Sequence, residues 1–308
     1  MSTAHSQIVS RIDETRLQRA LRSLDGLTLG DQFGELFFLE VTQFEDLVGN
    51  RKVPEQAWHY TDDTEMALSV VLNLRQHGKI DQDSLMHSFA LRHDMTRGYG
   101  PSMRRVLSDV REGAAWRTTI AGTFEGQGSW GNGSAMRAGP IGAYFADDLP
   151  ACIEQSQLSS LATHTHPEAV AGALAVAVSA ALACHDSKPS PAEFILAVAD
   201  YIPDSEVRSR LLRASRLAPG TSPVHAGHML GNGSEISAPD TVPFAVWCAA
   251  QHLGDYEEAL WNAVSAGGDR DTICAIVGSI VAMSSRTTLP ANWMSLMEPY
   301  PQWFREAL

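Results

Sequence analysis

Apolar residues recur three and four positions apart along most of this chain, and no alternation of polar and apolar residues persists beyond a few positions. That periodicity belongs to helices buried along one face rather than to half-buried strands, so it predicts an all-α fold. Leu17, Leu21 and Leu24 mark a helix over Arg11–Leu24. Met66, Val70 and Leu74 mark another over Thr64–Gln76, stopped by Gly78. Similar spacing predicts helices at Ser84–Arg92, Ser102–Glu112, Ala135–Phe145 and Leu149–Leu161. Pro167 then opens a long Ala-rich helix, a residue suited to a first helical turn. Pro191–Tyr201, Ser205–Leu217, Val242–Gln251, Tyr256–Ala266, Thr272–Met283 and a short Pro290–Met297 segment complete the set. Two long connections remain, Trp116–Gly131 and Ala218–Asp240, and loops of that length in a compact domain are often functional. With no linker or repeat, residues 1–308 read as a single domain whose core lies at about residues 24–285. Gly-Asn-Gly-Ser occurs twice, at Gly131–Ser134 and Gly231–Ser234, but four residues are too few to mark a duplication.

The charge balance excludes some functions. Against 36 Asp+Glu there are 23 Lys+Arg, a net charge of −13, which argues against sequence-independent binding to a nucleic-acid backbone. Small anionic ligands remain compatible, because helix N-termini and glycine turns bind phosphate without net positive charge. The four cysteines, Cys152, Cys184, Cys248 and Cys274, form no C-x-x-C pair and fit reduced, mostly buried thiols in a cytoplasmic protein. The apolar runs Ala169–Cys184 and Ile273–Met283 are too short to span a bilayer, and residues Met1–Arg19 have no signal-peptide core, so no membrane partner is expected.

Chemistry concentrates at two acidic helix starts, Thr61-Asp62-Asp63-Thr64-Glu65 and Gly268-Asp269-Arg270-Asp271-Thr272. Each is explained singly by helix capping. Asp62 as N-cap with Glu65 three residues later makes a capping box, and Asp269 would cap the helix at Thr272. Taken together they allow more. If the two starts meet, four carboxylates share one volume and repel unless a cation neutralises them, and oxygen-only donors suit Mg²⁺ or Mn²⁺. A third element, Gly131-Asn132-Gly133-Ser134-Ala135-Met136-Arg137, reads either as a plain turn and N-cap or as a seat for a phosphate or ribose oxygen. Thr163-His164-Thr165-His166 lacks a third ligand at zinc spacing, so a loop histidine or one that orients a substrate is expected there.

In this order the motifs resemble the ADP-ribosylglycohydrolase family. The matching stretches are Gly30-Asp31-Gln32-Phe33-Gly34, Thr61–Thr64, Arg97-Gly98-Tyr99-Gly100, Gly131–Arg137, Thr163-His164, Val242-Pro243-Phe244-Ala245 and Gly267–Thr272. The resemblance implies a compact all-α fold with two Mg²⁺ or Mn²⁺ ions in a cleft. It assigns the ions to Thr61, Asp62, Asp63, Asp269, Asp271 and Thr272. It places Gly100, Asn132, Gly133, Ser134, Met136, Arg137 and His164 around ADP-ribose. The implied reaction is metal-dependent hydrolysis of the bond between the distal ribose and an acceptor, with an ADP-ribosylated protein or a small ADP-ribose conjugate as partner. Asp62, Asp63 and Asp269 would serve catalysis through the ions.

Two positions depart from the family pattern. Arg270 stands where a small Thr is usual, which sets a cation beside the metals. Phe38 stands where many members carry a Glu used in metal binding or catalysis. Glu35 or Glu40 would have to replace it, and Glu35, directly after Gly34, is the expected catalytic substitute. The same metal chemistry would suit an ADP-ribose diphosphatase, and Phe38 is compatible with an ADP-ribose-binding relative of little or no activity.

Overall fold

The glycines of the first motif are what position the site. In the computed structural model, which describes residues 2–308 and side chains from Glu14 onward, one helix, α1, runs Ser2–Glu35. The expected end at Leu24 is therefore wrong. Glycine costs a helix interior about 1 kcal/mol relative to alanine, yet Gly26, Gly30 and Gly34 all sit inside α1. They form a stripe at four-residue spacing against helix α15 (Arg270–Val281). A Cβ on Gly30 would lie 2.1 Å from the Cys274 carbonyl oxygen, and one on Gly34 2.3 Å from that of Arg270. Backbone-to-backbone packing offsets the poor helix propensity and carries Asp31 and Glu35 to the start of α15.

The other helices follow in order: α2 (Val41–Gly49), α3 (Asp62–His77), α4 (Gln82–Arg92), α5 (Pro101–Arg111), α6 (Trp116–Ala121), α7 (Gly139–Tyr144), α8 (Leu149–Leu161) and α9 (Pro167–Ala183). After α9 come α10 (Pro191–Ala199), α11 (Glu206–Ala214), α12 (Pro223–Leu230), α13 (Ala238–Gln251) and α14 (Tyr256–Ser265), with α16 (Ala291–Met294) and α17 (Gln302–Ala307) after α15. Among the described residues there is no strand, only an isolated bridge between Gly131 and Ser237. The fold is all-α, and among the described residues no helix is long and apolar enough to cross a membrane.

Most expected helices are present, and the differences have local causes. The predicted Ala135–Phe145 helix begins only at Gly139, because Asn132–Ser134 forms a 3-10 turn first. The two long connections hold the short helices α6 and α12, and α2 was not expected. Helix α13 starts four residues before Val242 and contains Pro243, which cannot donate to the carbonyl of Pro239. Arg210 Nη1 donates to that freed carbonyl instead, at 3.1 Å.

One apolar core joins these helices, with Phe33 near its centre, stacked on Trp293 at 4.7 Å and edge-on to Trp261 at 5.2 Å. Trp293 and Phe304 are buried in it, so packing extends past residue 285. The four cysteines are unpaired; Cys152, Cys248 and Cys274 are buried and Cys184 is partly so.

Candidate metal centre and ligand cleft

Helix α3 starts on Thr61, not on Asp62. Thr61 is the N-cap, and its hydroxyl accepts from the Asp63 N–H at 3.3 Å. No capping box forms, because the Glu65 carboxylate accepts from the Tyr99 hydroxyl at 2.7 Å and the Asp94 N–H at 3.0 Å. Asp62 and Asp63 are thus free of capping duty. What secures this helix start is Asp31 on α1. Its carboxylate accepts from Thr61 N at 3.0 Å, Thr61 Oγ1 at 2.8 Å, Thr64 N at 3.2 Å and Thr64 Oγ1 at 2.5 Å. Asp31 belongs to a motif quoted from the sequence, but its bonding to α3 has no signature there.

Asp269 is the N-cap of α15 by position, yet its side chain makes no capping bond. Its carboxylate accepts instead from Asn132 Nδ2 at 2.6 Å. The two acidic starts then meet: Thr272 Oγ1 lies 3.5 Å from Asp63 Oδ2, and carboxylate oxygens of Asp31, Asp63 and Asp271 lie within 4.8 Å of one another.

Bare, this cluster is electrostatically unfavourable. Burial, reinforced by the neighbouring carboxylates, raises Asp62, Asp63 and Asp269 well above the ordinary range. Asp271 is also raised by burial. Asp31 is pushed up to about 7 by burial, against its four hydrogen bonds and with Asp271 adding to the rise. Among the described residues, the buried oxygens Asp63 Oδ1 and Asp271 Oδ1 have no hydrogen-bond partner. Unpartnered oxygens in a carboxylate cluster, with no sulfur or imidazole in the set, fit hard divalent cations.

A cleft of about 300 Å³ opens over the cluster. Asp62, Asp63, Asp269, Asp271 and Thr272 form its floor. Gly100, Asn132, Gly133, Met136 and His164 stand in its walls. The His164 ring packs on the glycine turn: a Cβ on Gly133 would lie 2.9 Å from its Cε1. Burial and the Arg137 charge lower His164 to about 3, so it is a neutral imidazole, within hydrogen-bond distance of Thr163 Oγ1 at 2.7 Å through Nδ1. His166 instead caps α9, accepting from Glu168 N at 3.1 Å, so the two histidines are not a chelating pair.

Two expected ligand-site residues do not line the cleft. Ser134 is buried between α8 and α9, where it accepts from Ser160 at 2.9 Å. Arg137 is fully buried behind the turn, where its guanidinium donates to Gly133 O at 2.6 Å, Ser159 O at 3.1 Å and Thr163 Oγ1 at 2.7 Å. Arg137 thus braces the turn from behind and does not line the cleft. The rim was missed from the sequence. Phe124, Trp130 and Ile236 line the opening although 54%, 54% and 63% exposed. Phe124 and Ile236 have positive φ, 50° and 51°, unusual for bulky residues. The only signal was the length of their loops.

A second cavity adjoins the first at Gly98 and Asp271. It is lined by Glu35, His59, Tyr60, Thr61, Thr96, Arg97 and Glu298. Arg97 forks onto Glu298 with two 2.8 Å bonds and stacks over Tyr60. The Glu35 carboxylate has no hydrogen-bond partner among the described residues and is pushed up to about 7 by burial, with Asp271 and Asp31 adding to the rise. Glu40, the other acid considered, is exposed at the start of α2 and lines neither cavity. Arg270 does not extend into either cavity. Its guanidinium lies over the rings of Phe44 at 4.3 Å and Phe38 at 5.3 Å. The two residues that depart from the family pattern thus touch each other.

The family model for ADP-ribosylglycohydrolases matches residues 12–308. This chain belongs to that family. Similar proteins include an uncharacterized protein of Archaeoglobus fulgidus, 29% identical over 87% of this chain and 88% of the other. Human ADP-ribosylhydrolase ARH3 is 26% identical over 80% of this chain and 77% of its own. The ADP-ribosylarginine hydrolase Tri1 of Serratia proteamaculans is 23% identical, over 90% and 75% respectively. A solved ADP-ribosylglycohydrolase-related protein complex superposes with a TM-score of 0.61 at 21% identity, covering 96% of this chain and 95% of that one, which supports the family fold.

Proposed function

We propose that this protein hydrolyses the glycosidic bond between the distal ribose of ADP-ribose and an acceptor, using two Mg²⁺ or Mn²⁺ ions. The observation that carries the reading is the pair of orphaned oxygens, Asp63 Oδ1 and Asp271 Oδ1, at the floor of a nucleotide-sized cleft. Thr61, Asp62, Asp63, Asp269, Asp271 and Thr272 would hold the ions. What divalent cations supply when bound is Lewis-acid polarisation and an acidified water.

The protein's own groups do the rest. Asp31 fixes the start of α3, and Asn132 fixes the Asp269 carboxylate. The first-turn N–H groups of α5, beside Gly100, and the Gly131–Gly133 turn face a diphosphate. Phe124, Trp130 and Ile236 offer apolar surface to a purine. Neutral His164 orients a ribose hydroxyl. The acceptor leaves through the second cavity, where Glu35 is placed to hold or give up a proton near neutrality. Cleavage builds oxocarbenium-like charge on the distal ribose.

Incubation with ADP-ribosylated arginine and serine peptides and with O-acetyl-ADP-ribose, in Mg²⁺, Mn²⁺ or EDTA, tests the proposal. Free ADP-ribose released only with metal is expected. AMP plus ribose phosphate would identify a diphosphatase instead, and tight ADP-ribose binding without turnover a non-catalytic relative.

A further inference from the structure

The second Gly-Asn-Gly-Ser sequence is far from the first in the chain but converges on the same residue. The Gly131–Ser134 turn grips the Asp269 side chain through Asn132 Nδ2 at 2.6 Å. The Gly231–Ser234 turn grips its backbone, because Asp269 N donates to Asn232 O at 3.1 Å. Asn232 is itself anchored on both sides. Its Nδ2 donates to Ala266 O, at the end of α14, at 2.9 Å, and its Oδ1 accepts from Ser234 Oγ at 2.5 Å. The two chains meet back to back: a Cβ on Gly233 would lie 2.4 Å from Asp269 Cβ, and one on Gly268 1.9 Å from Asn232 O. Both glycines have positive φ, 83° and 69°. Asp269 is left with φ −83° and ψ 75°, and its side chain does not cap its own helix.

We propose that the Gly231–Ser234 turn is the positioning element that holds Asp269 in its cation-binding pose, with Asn232 as the positioning residue. An aspartate at a helix N-cap ordinarily turns its carboxylate back onto the N2 or N3 amide. Here the backbone bond to Asn232 and the pull of Asn132 act on opposite ends of the residue, and the carboxylate faces the cleft. Residues behind metal ligands typically change affinity or activity 10- to 100-fold when lost, because they fix ligand orientation.

This inference rests on the proposed cation site, and the test separates the two. The full-length wild type, Asn232→Ala and Ser234→Ala are titrated with Mn²⁺ by calorimetry, and their melting is followed in EDTA. Asn232→Ala should weaken Mn²⁺ binding by roughly 10- to 100-fold, with a metal-free Tm close to wild type. Ser234→Ala, which removes one support of Asn232 at an exposed position, should weaken it less and in the same direction. A folded Asn232→Ala with wild-type Mn²⁺ affinity overturns the proposal. If Asn232→Ala does not fold, wild-type affinity in Ser234→Ala overturns it. A turn with a merely structural role would lower Tm in EDTA and leave the Mn²⁺ affinity unchanged, which also overturns it. A wild type that binds no Mn²⁺ overturns the cation site itself, and this proposal with it.

Discussion

Thr272 Oγ1 stands 3.5 Å from Asp63 Oδ2, across 209 residues of chain. That closeness turns two ordinary-looking helix starts into one site, and the consequences below follow from the charge it concentrates.

The first consequence is a pH dependence of opposite sign to the usual carboxylate case. Asp31 and Glu35 are pushed up to about 7, and Asp62, Asp63 and Asp269 well above their ordinary values. A folded-state pKa above the unfolded one means that folding favours the protonated form. Its stabilising contribution is complete below about pH 4 and is lost as pH rises through the folded value. His164, lowered to about 3, acts oppositely, but only below about pH 6.5. In EDTA, Tm should therefore fall between about pH 6.5 and about pH 8, and saturating Mn²⁺ should flatten the slope. A metal-free Tm that rises across that interval would refute the electrostatic account.

Asp269→Ala should abolish turnover while leaving the helical circular-dichroism spectrum intact. The side chain caps nothing, and its removal relieves repulsion in the metal-free cluster. Release of free ADP-ribose from each conjugate, measured beside the spectrum, is the check. Wild-type activity on every conjugate would remove Asp269 from the metal site.

Glu35→Gln should lower kcat by a factor on the order of 10²–10⁴, the usual size of general acid–base contributions. The variant should also lose any limb of the pH–rate profile near 7 that the wild type shows. An unchanged profile would return the search for the acid to other residues of the second cavity.

Gly30→Ala should cost about 1–3 kcal/mol or more, as overpacking does, because the new methyl would lie 2.1 Å from the Cys274 carbonyl oxygen. Gly49→Ala, with open space around it, is the matched control and should be neutral or slightly stabilising. Chemical denaturation of both variants makes the comparison. Equal stabilities would mean that the α1–α15 contact yields more readily than its geometry implies.

Much of this was already legible in the sequence. Helical apolar spacing determined the all-α class, because only that period lets each segment bury one face. It also placed most helix starts, and the order of motifs marked the acids and the glycine turn. Other features depend on where distant segments pack. Local pattern favoured Asp62 and Asp269 as caps, yet Thr61 took the first role and the second went unfilled, since Asp31 reaches in from α1 and Asn132 from a distant turn. Gly30 and Gly34 lay beyond the helix expected to end at Leu24 and proved to be a packing stripe within it, because a glycine's use depends on what approaches it. Arg137 read as a ligand contact and is a buried brace, while Arg270 read as a cation at the metals and lies on Phe38 and Phe44. Sequence spacing specifies which face a residue occupies on its own helix. Only the packing of helices decides what that face meets.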